Sequence, residues 1–170
     1  TVVNHFAMPD TSVTASGSLD FCLGSSVTLS AASGQSYMWN TGDTTQSITA
    51  TQAGSYYAVV TTSNGCSDTT ATYTTSLYAD PDTSVTASGS LDFCLGSSVT
   101  LSAASGQSYM WNTGDTTQSI TATQAGSYYA VVTTSNGCSD TTATYTTSLY
   151  ADPDTSVTAS GSLDFCLGSS

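Results

Sequence analysis

Apolar residues alternate with Ser and Thr at a period of two through several short stretches of the chain. Ser12-Val13-Thr14-Ala15-Ser16 is one, Ser26-Val27-Thr28-Leu29-Ser30-Ala31 a second and Ser47-Ile48-Thr49-Ala50-Thr51 a third. Successive side chains of a strand face opposite sides, so the pattern predicts half-buried β-strands. Ser36 to Asn40, Ser55 to Thr62 and Thr69 to Leu77 predict three more. Turn signals lie between them: Ser33-Gly34, Thr41-Gly42-Asp43, Ala53-Gly54 and Asn64-Gly65. The last is a strong hairpin signal, because both residues tolerate positive φ. No segment carries a helical period. Six or seven short strands in this span predict a small all-β sandwich of two antiparallel sheets.

The stretches recur. Residues 9–80 are repeated without one difference at 81–152, and 153–170 reproduce the opening of the same unit. Residues 1–8 align with 73–80, sharing Ala7 with Ala79 and an aromatic, Phe6 with Tyr78. The expected organisation is therefore the end of a preceding divergent repeat at 1–8, one 72-residue repeat at 9–80, an identical one at 81–152 and the start of a further, truncated repeat at 153–170. Such a chain reads as a window on a longer array. The links between units are short and contain Pro81, which predicts restricted pivoting and a semi-rigid rod.

Composition changes the functional picture more than the fold. The 170 residues include no Lys, no Arg and no Glu; twelve Asp give a net charge of −12, and Ser and Thr fill 64 positions. Nucleic acids and anionic membrane surfaces are bound through cations, so neither is an expected partner. Schiff-base chemistry and arginine clamps are ruled out for the same reason. No apolar run reaches 18 residues, so no membrane insertion is expected. His5, the only His, lies outside the repeat, so a Ser–His–Asp triad cannot recur in each unit. The chain does not read as an enzyme.

Three features sharpen the sandwich to tandem immunoglobulin-like domains. Trp39, and its copy Trp111, fall on the third strand, where such folds bury a Trp between the sheets. Gly54-Ser55-Tyr56 enters a long strand like a tyrosine corner, which makes Tyr56 and Tyr128 core residues with hydroxyls turned back to the main chain. A Cys–Trp–Cys order, Cys22, Trp39 and Cys66, completes the set. Paired cysteines at fixed spacing in a small domain argue for disulfides and an oxidising compartment. Their pairing depends on strand parity. Six crossings bring Cys22 and Cys66 to one end of the unit, giving Cys22–Cys66 and Cys94–Cys138, the favoured expectation. A seventh crossing over Thr41 to Gln46 puts them at opposite ends, and Cys22 then meets Cys138 of the next unit and staples neighbours together. Cys166 needs a partner outside the chain in either case. Metal binding by these cysteines is disfavoured, because no CxxC or nearby His accompanies them.

Phe21-Cys22-Leu23-Gly24-Ser25-Ser26-Val27-Thr28-Leu29, then Tyr37-Met38-Trp39-Asn40-Thr41-Gly42-Asp43-Thr44-Thr45-Gln46-Ser47-Ile48-Thr49, then Ala53-Gly54-Ser55-Tyr56-Tyr57-Ala58-Val59-Val60 with Asn64-Gly65-Cys66, form a familiar series. Together they resemble the Ig-like repeats of giant Bacteroidota surface adhesins and secreted proteins, including gliding-motility adhesins. The resemblance implies type IX secretion, a cell-surface location and a stalk or adhesive fibre. It also implies both cysteines bonded within one unit. It makes Thr44, Thr69, Thr116 and Thr141, each following an Asp, candidates for O-glycosylation, against the plainer reading of solvated turns. The absence of Lys, Arg and Glu departs from that family.

Asp80 and Asp82, with their copies Asp152 and Asp154, flank a proline at each unit boundary and are a candidate Ca²⁺ site. A solvated linker is the preferred reading, because no Glu offers bidentate ligation. No other cofactor is expected. Two roles follow. The first is a structural stalk or filament segment, a semi-rigid spacer whose partners are neighbouring repeats and, through self-association, other fibres. The second is a multivalent polysaccharide-binding module, with Tyr37 and Tyr57 as exposed rings.

Overall fold

The computed structural model describes residues 5–151, 153, 155–158 and 160. All regular structure in them is β. The first unit contains β1 (Val13–Ala15), β2 (Asp20–Phe21), β3 (Val27–Ala31), β4 (Ser36–Trp39), β5 (Ser47–Ala50), β6 (Gly54–Tyr56), β7 (Ala58–Thr61), β8 (Ser67–Thr69) and β9 (Tyr73–Leu77). The second repeats them as β10 (Val85–Ala87), β11 (Asp92–Cys94), β12 (Val99–Ala103), β13 (Ser108–Trp111), β14 (Ser119–Ala122), β15 (Gly126–Tyr128), β16 (Ala130–Thr133), β17 (Ser139–Thr141) and β18 (Tyr145–Tyr150).

One layer of each unit is the antiparallel sheet β1-β3-β5. Val13 stands opposite Ala31, and Val27 opposite Ala50. The alternation read from the sequence is realised here: Val27, Leu29 and Ala31 all turn inward. The other layer is interrupted halfway along. Its upper half is β4-β7-β8 and its lower half is β2-β9-β6. Strand β2 pairs parallel with β9, Phe21 opposite Leu77, so the first strand of the unit starts in one sheet and finishes in the other. This strand exchange and the two-layer packing make each unit an immunoglobulin-like sandwich.

The interruptions have side-chain causes. Tyr57 leaves the ladder where Asn40 takes over: Tyr57 N donates to Asn40 Oδ1 (3.0 Å), and Asn40 Nδ2 donates to Ser55 O (2.8 Å). At the facing break, Ala58 N donates to Thr70 Oγ1 (3.0 Å). Two strands expected to be continuous, Ser55–Thr62 and Thr69–Leu77, are therefore each two pieces.

The core lies between the layers. Trp39, 1% exposed, packs with Val13, Leu29, Ala31, Ile48, Ala58 and Val60. Phe21, Val27 and Ala50 form a smaller cluster below it. Trp39 Nε1 donates to Thr45 O (2.9 Å), so the buried indole keeps a partner. Tyr56 is half-buried against both clusters, and its hydroxyl donates to Gln52 O (3.1 Å), four residues back. Trp111 and Tyr128 repeat this arrangement.

Candidate functional site

Which end of the sandwich each cysteine occupies follows from the register. The short connection after β3 delivers the chain to Ser36, opposite Thr61, so Ala31, Ser36 and Thr61 share one end. Val27 and Ala50 lie at the other. Strand β4 runs toward the second end, yet β5 starts at the first, with Ser47 opposite Ser30. Residues 43–46 make the return: Trp39 N donates to Asp43 O (2.8 Å), and Ala31 N donates to Gln46 O (3.0 Å). This is the seventh crossing, made by a segment with no strand pairing. Cys22, before β3, and Cys66, after β7, consequently sit at opposite ends of their unit.

The favoured pairs Cys22–Cys66 and Cys94–Cys138 are therefore not formed. The structure bonds Cys22 to Cys138 across the two units, with Cα atoms 5.4 Å apart and 116 residues between them in sequence. Cys66 and Cys94 are free thiols. The implication drawn from the adhesin resemblance fails at the same point.

Both partners are held by tight turns. Ser25 N donates to Cys22 O (3.0 Å), and Gly24 takes φ 82° at the third position of that turn, a conformation that L side chains resist. On the other side, Gly137 N donates to Thr134 O (3.0 Å), Thr134 N to Cys138 O (2.8 Å) and Cys138 N to Thr134 Oγ1 (3.2 Å). Gly137 has φ 84° while Asn136 keeps a negative φ. The Asn-Gly hairpin is thus a three-residue loop closed by a glycine bulge, rather than the two-residue turn with both φ values positive.

The identical units supply an internal control for what the joint covers. Cys138 is buried, 2% exposed, whereas its copy Cys66 is only partly so. Cys22 is half-buried, whereas its copy Cys94 is exposed. Tyr78, just before the junction, is half-buried, and its copy Tyr150 is 59% exposed. Sequence is the same in each pair, so the difference comes from the neighbouring unit. Closing a loop of 116 residues removes unfolded-state entropy equivalent to about 5 kcal/mol on the chain-entropy model.

No protein-family model and no curated protein matches the chain. Among solved structures it is similar to the amphioxus IgVJ-C2 molecule at 15% identity and a TM-score of 0.32, over 76% of this chain and 99% of that one. It is similar to the C-terminal 282-residue fragment of intimin, solved with the intimin-binding domain of the translocated intimin receptor, at 14% identity and a TM-score of 0.39. That match covers 82% of this chain and 63% of the fragment. A third is the Bacteroides ovatus mixed-linkage glucan utilization protein SGBP-B in complex with a heptasaccharide: 12% identity, TM-score 0.26, 84% of this chain and 45% of that one. The immunoglobulin-like assignment rests on the strand pairing itself.

The remaining predicted residues are dispersed. Thr44, Thr69, Thr116 and Thr141 are all exposed. Thr44 borders an open groove of about 610 Å³ on the outer face of the sheet, beside Tyr37, Met38 and Val59. Met38 is 52% exposed there. Tyr37 is not a free ring: its hydroxyl accepts from Gly34 N at 2.7 Å. Tyr57 is the more exposed of the two.

At the unit boundary, Asp82 Oδ1 accepts from Ser84 N (2.9 Å), and Asp10 Oδ1 from Ser12 N (2.8 Å). These backbone N–H groups, with the serine hydroxyls beside them, hold both carboxyls below their usual range. Asp80 is exposed, and Asp152, Asp154 and Cys166 lie outside the described residues. Among the described residues no three His, Cys, Asp or Glu side chains converge as metal ligands would.

Proposed function

We propose that the chain is a length of extracellular spacer, a stalk or filament segment of a repetitive surface adhesin, in which covalent joints between consecutive units limit bending. The observation that carries this reading is the Cys22–Cys138 bond. An intradomain disulfide would stabilise one sandwich; a bond across the junction restricts how two sandwiches pivot. Identical repeats, a short Pro-containing link and a surface without Lys, Arg or Glu fit a material whose role is reach. A disulfide also requires an oxidising compartment, which agrees with the surface location implied by the sequence resemblance to Bacteroidota adhesin repeats. O-glycosylation at the four exposed threonines belongs to the same proposal.

Small-angle scattering of the chain tests it. The oxidised protein gives a cross-section profile of a thin rod, and adding reductant broadens the distribution of maximum dimensions. Identical profiles in both states would remove the joint from the account.

A second reading is multivalent polysaccharide binding, supported by the groove beside Met38 in the first unit and by the exposed rings of Tyr57 and its copy Tyr129. Tight retention on immobilised polysaccharide, lost in a Tyr57→Ala, Tyr129→Ala variant, would make binding the primary role.

A further inference from the structure

The Cys22–Cys138 bond joins two segments that each cross a sandwich once, and it joins them end to end. In the first unit the crossing is Val13 to Cys22. It starts with Val13 opposite Ala31 at one end and finishes with Phe21 opposite Leu77 at the junction end. Backbone bonds hold it along the way: Ser16 N donates to Thr28 O (2.9 Å), Ser76 N to Leu19 O (3.1 Å) and Tyr78 N to Phe21 O (3.0 Å). In the second unit the crossing is Cys138 to Tyr150. It starts with Ser139 opposite Thr133 at the junction end and finishes with Leu149 opposite Phe93 at the far end. Thr142 N donates to Ala130 O (2.9 Å) partway along. Neither crossing folds back on itself. Strands β3 to β16, both tryptophans and the strandless link at residues 78–84 all lie in the loop between the two cysteines.

We propose a further function for this bond: it carries tension past both cores. Pulled from its two ends, the chain transmits force along β1 and β2, through the disulfide, and along β17 and β18. Strands β3 to β16 form a side loop that the force does not enter. A strand rises about 3.3 Å per residue against a limit of about 3.3–3.6 Å for a fully extended chain, so each crossing has little length to give. The line from Val13 to Tyr150 therefore resists stretching without unfolding either unit. Bonds within the units, Cys22–Cys66 and Cys94–Cys138, would leave the link in the line of force, and a break in the link would part the units. With Cys22–Cys138 a break in the link leaves the line whole. The proposal rests on the joint of the spacer reading and adds what that joint does under load.

The test uses the full chain with Cys66→Ser, Cys94→Ser and Cys166→Ser, held by peptide tags at its two termini and stretched in optical tweezers. A control adds Cys22→Ser. Thiol titration of the oxidised sample before tethering shows whether the bond is present. The control is expected to lengthen in two steps of roughly 200 Å, one for each 72-residue unit that unfolds. The oxidised chain is expected to show steps totalling less than about 50 Å. Reductant added to the tethered oxidised chain then gives the same two steps as the control. Steps totalling about 100 Å or more in the oxidised, thiol-free sample would show that the outer segments unreel, and would overturn the tension line while leaving the joint and the spacer reading standing. Free thiols in the oxidised sample would overturn the joint and the tension line together.

Discussion

Thr70 replaces a rung of the ladder, and removing its hydroxyl measures what that replacement is worth. Its own N–H donates to Ala58 O (2.9 Å), and its Oγ1 accepts from Ala58 N (3.0 Å) while donating to Ala71 O (3.0 Å). Ala58 is completely buried and Thr70 is 5% exposed. Thr70→Val keeps the side-chain shape and leaves the Ala58 N–H with no partner and no water. Ala71 is exposed, so its carbonyl is rehydrated. The orphaned donor dominates and costs about 1–3 kcal/mol. For a domain of this size, that is a fall in melting temperature of roughly 4–20 °C. Each unit has one tryptophan, so fluorescence reports both: in the variant, the Trp39 half of the signal melts first and the Trp111 half stays with the parent. Thr142→Val reverses the order, and Thr70→Ser restores the parent curve. A single transition within 1 °C of the parent would refute the claim that Thr70 stands in for a strand partner.

The tyrosine corner should weigh less. Gln52 O accepts from both Tyr56 Oη (3.1 Å) and Thr75 Oγ1 (2.7 Å), so Tyr56→Phe leaves the carbonyl satisfied and costs about 0.5–1 kcal/mol in urea titration. Gly34→Ala should cost more: the new Cβ would stand 2.6 Å from Val60 Cγ1 and 3.2 Å from Thr61 O, and buried Val60 has nowhere to go. The expected loss is about 1–3 kcal/mol, while Gly17→Ala, with nothing within 4 Å, is the neutral control. The lowered carboxyls of Asp10 and Asp82 give a pH dependence of known sign. Their contribution is present above the ordinary value of 3.8 and is lost as pH falls through their lower folded values. An Asp10→Asn, Asp82→Asn variant, whose amide oxygens still accept the serine N–H, should lose less melting temperature between neutral pH and pH 3 than the parent.

Much of the sandwich was legible because its best-buried strands alternate cleanly. Val27, Leu29 and Ala31, or Ile48 and Ala50, announce one inward face, and Trp39 and Tyr56 announce the space between the sheets. The two-residue strand β2 was not legible, because Asp20 and Phe21 are too few to show a period. Nor were the breaks at Tyr57 and at residues 70–72, which are set by tertiary hydrogen bonds from Asn40 and Thr70. The joint was half legible. The cysteines and their two alternative pairings could be read, but the choice between them turns on residues 43–46. Asp43, Thr44, Thr45 and Gln46 are all polar and lack any strand alternation, yet they span the sandwich and reverse the parity of everything after them.

Peptide mapping cannot distinguish the pairings, because identical units yield identical peptides. Thiol counting in two-cysteine variants can, and it is the most direct test of the spacer account. One variant keeps Cys22 and Cys138 and the other keeps Cys22 and Cys66, every other cysteine being replaced by serine. After mild oxidation as dilute monomers, both are denatured and titrated with a thiol reagent. The account predicts no free thiol in the first and two in the second. Two in the first and none in the second would contradict it, and return each disulfide to the interior of a single unit.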